Sequence, residues 1–367
     1  MTAQDPAART NPPHPAARTS LSQSATGTGP PQPATGTGPS QPTTGTGPSQ
    51  PTTGTGPSQP ATGTGPSHAV AAGGFAGRAA RTRPPDLAAI FRTAGVTGSL
   101  HATDLDTGAQ VGAGDDDPVV LASVFKLPLL VEFYRQAEAG LLDPARPCRV
   151  EAGERTAGGT GLAAMLDDAT LSLRDLAYLM IAVSDNAAAD VVARHVGLAA
   201  VNAMLGRFGL PGTFVEHDCR GMLAAMEADA GRLEGPLHPR DVARLRVLDP
   251  ARTNRSTPRE MTRLLGMVWR DEAAGPEACA EVRRLLGLQV WPHRLASGFP
   301  YDDVVVSGKT GSLPTLRNEV GVVEYPDGGR YAVAVFTRSI GTAQHQPRAD
   351  AAIGTAARAA VDHLRSL

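Results

Sequence analysis

Lysine is almost missing from this chain. Of its 34 basic residues only two are lysines, Lys126 and Lys309, and every other one is arginine. Arginine keeps its charge in any protein environment, whereas lysine gives up its proton readily when desolvated. An amine able to shuttle protons is therefore excluded everywhere except at those two positions. No apolar run is long enough to span a bilayer, and no apolar stretch of signal-peptide type follows Met1. The expectation is a cytoplasmic protein with no membrane partner, the alternative being secretion by a route that the sequence does not display. Cysteine is sparse: Cys148, Cys219 and Cys279 are scattered and odd in number, which supports no disulfide framework and suits a reducing compartment. The nine histidines show no paired helical spacing, so no metal and no cofactor are expected. A formal net charge of -2 excludes a nucleic-acid binder on charge grounds.

What is abundant at the start is proline, glycine and threonine. Thr-Gly-Thr-Gly-Pro begins at Thr26, Thr35, Thr44, Thr53 and Thr62, a nine-residue period. A segment of this composition buries too little apolar surface to offset its ordering entropy, and its units lack an apolar face to stack. Residues 1–85 are therefore read as a disordered tail, and residues 86–367 as one folded domain.

Within the domain, Asp86–Ala94 reads as a short helix, and Gly98–Leu105 with Gln110–Ala113 as a hairpin around Asp106-Thr107-Gly108. Helical spacing follows from Ser123 to about Gly140, over Leu162–Leu166, over Leu173–Val183 with Ser172 as its cap, and on to Val196. Asn202–Phe208 is helical, and Gly209–Glu260 carries little signal. Thr257-Pro258 opens another helix, and Glu281–Gly287 continues the helical region. Val304–Val306, Glu319–Tyr325 and Tyr331–Phe336 read as strands, before a closing helix from Pro347. Strands at both ends and helices in the middle predict an α/β (α+β) domain. In it one antiparallel sheet is flanked by helices, with an inserted all-α lobe and the site in the cleft between them.

Chemistry enters at Ser123-Val124-Phe125-Lys126. The apolar residues Leu127, Leu130, Val131 and Tyr134 recur at helical spacing, so Ser123 and Lys126 stand one turn apart at a helix start. A serine hydroxyl attacks poorly until a base takes its proton, and a neutral amine three residues on is such a base. Ser and Lys at this spacing arise by chance about once in a chain of this length at average usage. The scarcity of lysine is what favours the chemical reading over a helix start with a solvated lysine. Ser184-Asp185-Asn186, between two helices, reads on its own as a capping cluster.

With Lys309-Thr310-Gly311-Ser312 on a strand, three motifs stand in order, and together they resemble the class A β-lactamases and penicillin-binding proteins. Leu171–Leu176, Ser256–Met261 and Gln289-Val290-Trp291-Pro292-His293-Arg294 are similar to that family as well. The resemblance implies a β-lactamase/transpeptidase-like fold and a role for each motif. Ser123 would open a cyclic amide and form an acyl-enzyme, with Lys126 helping to remove its proton. Ser184 would relay the proton to the leaving nitrogen, and Lys309 would hold that relay and attract an anionic substrate. Asn186 would hydrogen-bond Lys126 and the substrate amide, while Thr310, Gly311, Ser312 and Arg317 would bind substrate and its carboxylate. The backbone amides of Ser123 and Ser312 would form the oxyanion hole.

The family's Glu-x-x-Leu-Asn loop, whose Glu releases the acyl group, has no counterpart. Thr213–Arg220 stands there instead, and its carboxylates Glu216 and Asp218 are the candidate deacylation bases. The leading expectation is a serine hydrolase that opens β-lactam amides, with slow deacylation, acting on a small-molecule partner as a monomer. The alternatives are a D,D-peptidase, acyltransferase or esterase of the penicillin-binding superfamily, or a non-hydrolytic β-lactam binder or sensor. A Ser-His-Asp hydrolase is disfavoured because no Gly-x-Ser-x-Gly elbow occurs.

Overall fold

The computed structural model describes residues 83–231 and 237–367; the repeat segment lies outside the described residues. The chain enters through α1 (Leu87–Ala94), where the Asp86 carboxylate accepts the Ala89 amide as an N-cap and Gly95, at φ 76°, ends the helix. The hairpin β1 (Val96–Asp104) and β2 (Gln110–Ala113) follows, then the two-residue β3 (Val119–Val120). A 3-10 turn, Ala122–Phe125, leads without a break into α2 (Lys126–Glu138).

The central part is mostly helical. After β4 (Pro147–Val150) and β5 (Ala169–Ser172), which pair with each other, come α3 (Leu173–Ala182), α4 (Asn186–Val196) and α5 (Leu198–Arg207). Ser172 caps α3 as its position predicts, whereas Leu162 lies in a four-residue 3-10 turn rather than a helix. The stretch that carried little signal holds α6 (Cys219–Ala230), the four-residue α7 (Pro239–Val242) and β6 (Arg255–Ser256), which pairs with β3. Then come α8 (Pro258–Trp269) and α9 (Pro276–Gly287).

The last strands are β7 (Val305–Leu313), β8 (Leu316–Glu324) and β9 (Arg330–Ser339), followed by α10 (Pro347–Arg365). They form one antiparallel sheet with the first hairpin, in the order β2-β1-β9-β8-β7. The early strand β1 lies against the late strand β9 along its whole length, from Val96 opposite Ser339 to Asp104 opposite Tyr331. Along β9 the side chains alternate: Tyr331, Val333 and Val335 pack with α1 and α10, while Ala332, Ala334 and Phe336 pack toward the helical lobe. Both faces of the sheet are thus covered, which is why β8 is buried over nearly its full length. That burial also hides its start from a pattern reading, because the polar Arg317 and Asn318 lie inside the sheet. β7 likewise runs well past Val306, carrying Lys309 through Ser312 in the strand. The antiparallel sheet with flanking helices and an inserted helical lobe is the architecture expected.

Candidate active site

Ser123 sits in the 3-10 turn before α2, half buried at the wall of a cleft of about 240 Å3. Thr160, Ser184, Trp291, Arg294, Thr310 and Ser312 share that cleft. Two non-glycine residues near it occupy the left-handed region, Ala122 at φ 48° and Ser184 at φ 59°. Such conformations cost about 1–3 kcal/mol and persist where the surroundings impose them. They set the Ser123 turn and Ser184 at angles that ordinary helix or strand backbone would not give. β7 approaches the turn closely: a Cβ on Gly311 would stand 2.6 Å from the Leu121 carbonyl oxygen. Glycine at that position lets Ser312 and Ser123 border one cleft.

The two lysines meet at one hydroxyl. Lys126 is fully buried, and its Nζ donates to the Ser184 carbonyl (2.8 Å), Asn186 Oδ1 (3.0 Å) and Ser184 Oγ (3.3 Å). Lys309 is also fully buried, and its Nζ donates to Ser184 Oγ at 3.0 Å and to the Thr310 carbonyl at 2.9 Å. Burial pushes the Lys309 amine well below its ordinary value, and the charge of Lys126 pushes in the same direction.

α4 fixes the relay. Asp185 caps it by accepting the Ala187 and Ala188 amides, and its other oxygen takes the Leu162 amide at 2.6 Å. Asn186 does not itself line the cleft; its Oδ1 accepts from Lys126 and its Nδ2 donates to the Ala157 carbonyl.

The opposite wall holds a residue to which sequence reasoning gave no role. Arg294 is buried, with Nη2 on Ser312 Oγ (2.7 Å), Nη1 on the Gly311 and Asn318 carbonyls (both 3.0 Å) and Nε on Asp350 (2.7 Å). Its only advance signal was membership of the Gln289–Arg294 stretch. Arg317, expected to take the substrate carboxylate, stands opposite Ser312 across the strands and approaches Asp350, but its guanidinium is engaged outside the cleft. Its guanidinium donates to the carbonyls of Leu313, Leu316 and Gln344, and it does not line the cleft. The cation beside Ser312 is Arg294. Gln289 supports the same strand, accepting the Thr310 amide at 2.6 Å and donating to Glu319 at 2.6 Å. Glu319 also accepts the Leu295 amide, and burial pushes its carboxyl up to about 7.

Neither Glu216 nor Asp218 reaches Ser123. Glu216 is exposed, its amide held by Asn254 Oδ1, and the Asp218 carboxylate caps α6 through the Gly221 amide. Among the described residues no Asp or Glu lines the cleft. The loop residue in the field of both lysines is Cys219, fixed because its amide, with that of Arg220, donates to Asp190 one turn beyond Asn186. Burial pushes the Cys219 thiol up to about 11.

Residues 84–364 match the model of the β-lactamase enzyme family. The chain belongs to that family. It is 35% identical over 295 residues to the β-lactamase regulatory protein BlaB of Streptomyces cacaoi, covering 74% of this chain and 94% of that protein. A β-lactamase from Sphaerobacter thermophilus superposes with a TM-score of 0.61 at 27% identity, over 75% of this chain and 95% of that one. PBP-A, in an acyl-enzyme complex with penicillin G, superposes at 0.63 with 20% identity, over 77% and 95%. It shows a shared fold alone. With the family's serine hydrolase fold in place, Ser123, Lys126, Ser184 and Lys309 stand where sheet and helical lobe meet.

Proposed function

We propose that this chain is a serine acyl-enzyme for β-lactams that releases the acyl group slowly. The observation that carries the reading is the shared cleft: Ser123 and Ser184 line it, two fully buried lysines hold the Ser184 hydroxyl, and no carboxylate lines it among the described residues. Ser123 Oγ attacks the lactam carbonyl carbon, and its proton passes by way of Lys126 and the Ser184 hydroxyl to the lactam nitrogen as the C–N bond breaks. The amides of Ser123 and Ser312 receive the developing oxyanion, a kind of interaction whose loss costs about 10² to 10³ in rate. Arg294 and the Ser312 hydroxyl, already in contact with each other, bind the substrate carboxylate.

Release needs a base beside the acyl carbonyl, and a neutral Cys219 thiol does not supply one. A long-lived acyl-enzyme serves a slow β-lactamase, and it also serves a β-lactam-responsive regulator. The likeness to BlaB, a protein named for regulation, favours the second use. A fluorescent penicillin tests the reading: a covalent adduct mapped by mass spectrometry to Ser123, and lost in Ser123→Ala, supports it. An adduct elsewhere, or none, overturns it.

A further inference from the structure

A second cavity, of about 450 Å3, nearly twice the volume of the Ser123 cleft, lies where β1, β8 and β9 meet the segment that leads into the nucleophile turn. One end of it is acidic. The Asp117 carboxylate and the Ser99 hydroxyl converge over Gly114, which adopts φ 60°, and neither side chain is spent on a protein partner among the described residues. Arg338 supplies a cation to the same lining; one of its terminal nitrogens is held by the Leu248 carbonyl, which leaves the rest of the guanidinium available. Phe336 and Val120 give an apolar wall.

The far side of that wall belongs to the catalytic turn. Asn318, buried in the same lining, donates from Nδ2 to the Val120 carbonyl at 2.9 Å, and Leu121 next to it donates its amide to the Asn254 carbonyl. Ser123 follows Val120 by three residues, through Ala122 in its left-handed conformation. A ligand that displaces Val120 or Asn318 therefore shifts the turn that carries the nucleophile.

We propose that this cavity is a second ligand site, for a small zwitterion with an apolar body such as an amino acid or dipeptide, and that its occupancy adjusts acylation of Ser123. The ammonium sits on Asp117 and Ser99, the carboxylate on Arg338 and the apolar body against Phe336. The binding half stands independently of the acyl-enzyme reading, and the coupling half rests on it.

The test titrates the full chain with the dipeptide leucyl-alanine by saturation-transfer NMR, beside the N-acetylated and C-amidated forms that each lack one charge. Saturable binding of the parent dipeptide is expected at millimolar concentration. Each capped form, and each of Asp117→Asn and Arg338→Gln, should weaken it by roughly tenfold or more. The bound dipeptide should also change the rate of fluorescent-penicillin labelling at least about twofold in the parent chain and not in the two variants. Absence of saturable binding, or binding indifferent to the caps and to both substitutions, overturns the site. Binding that follows the charges without any change in labelling rate overturns the coupling. Failure of labelling without dipeptide counts against the acyl-enzyme reading and leaves the binding result standing.

Discussion

Lys126 and Lys309, the two lysines of the chain, place their amines on the same Ser184 hydroxyl, at 3.3 and 3.0 Å. Two fully buried cations cannot share that oxygen cheaply, since at close range each disfavours the charge of the other. Ser184 Oγ, held by both amines, is the atom through which the proposed acylation of Ser123 would pass its proton. Replacing either lysine with arginine keeps a cation, but one that does not give up its proton. Lys126→Arg and Lys309→Arg should each lower the acylation rate by about 10² to 10⁴, the range of general acid–base catalysis. Stopped-flow labelling with a fluorescent penicillin measures it, and a rate within a few-fold of the parent would refute the relay.

Cys219 is the position at which the slow-release proposal can be tested. Its amide is pinned by Asp190, and its thiol lies in the field of both lysines. Cys219→Glu places a carboxylate near the lysine amines. Steady-state turnover of a chromogenic cephalosporin should rise by about 10² while the acylation rate holds within a few-fold. Cys219→Ser should leave both rates near those of the parent. Turnover unchanged by the glutamate would separate this position from deacylation.

Arg294 and Arg317 make opposite predictions. Arg294→Gln should raise the concentration of β-lactam needed for half-maximal labelling by roughly 10- to 100-fold, the loss of about 1.4–3 kcal/mol. Arg317→Gln should change it little. Because Arg294 also holds Gly311 and Asn318, a methyl ester of the same β-lactam provides the control. Its affinity should be nearly equal for the parent and the Arg294 variant, and an equal loss for acid and ester would mark a structural role.

Glu319 makes stability depend on pH. Its folded value of about 7 lies above the ordinary 4.5 because burial disfavours the ionised form. The protonated side chain thus contributes stability that is fully present below about 4.5 and is lost as pH rises through about 7. Glu319→Gln removes that titration. The melting temperature of the variant, relative to the parent, should climb between pH 5 and pH 8 and then level off. A difference that stays constant across this range would contradict the assignment.

The family was legible because each motif is a short string whose residue types mean something together: a serine and a lysine one turn apart, a serine at a helix junction, a lysine on a strand. The closing of the sheet by β1 on β9 followed from strands at both ends of the folded part. The choice between Arg294 and Arg317 was not legible. Both are arginines near the third motif and both approach Asp350, and the difference lies in which carbonyls, and the Ser312 hydroxyl, claim each guanidinium. α6 escaped notice because the apolar residues it buries, Cys219, Met222 and Met226, are interleaved with alanines that blunt the helical period. The place of Cys219 opposite the lysines depends on Asp190, a contact across 29 positions of sequence, which no local pattern reveals.

Rapid-quench kinetics with a chromogenic cephalosporin, read by product absorbance and by intact mass in the same samples, test the central claim most directly. The account predicts a burst of product equal to the enzyme present, an adduct on Ser123 that grows with the burst, and a slow steady rate while the adduct persists. Fast steady turnover with no burst and no accumulated adduct would contradict it.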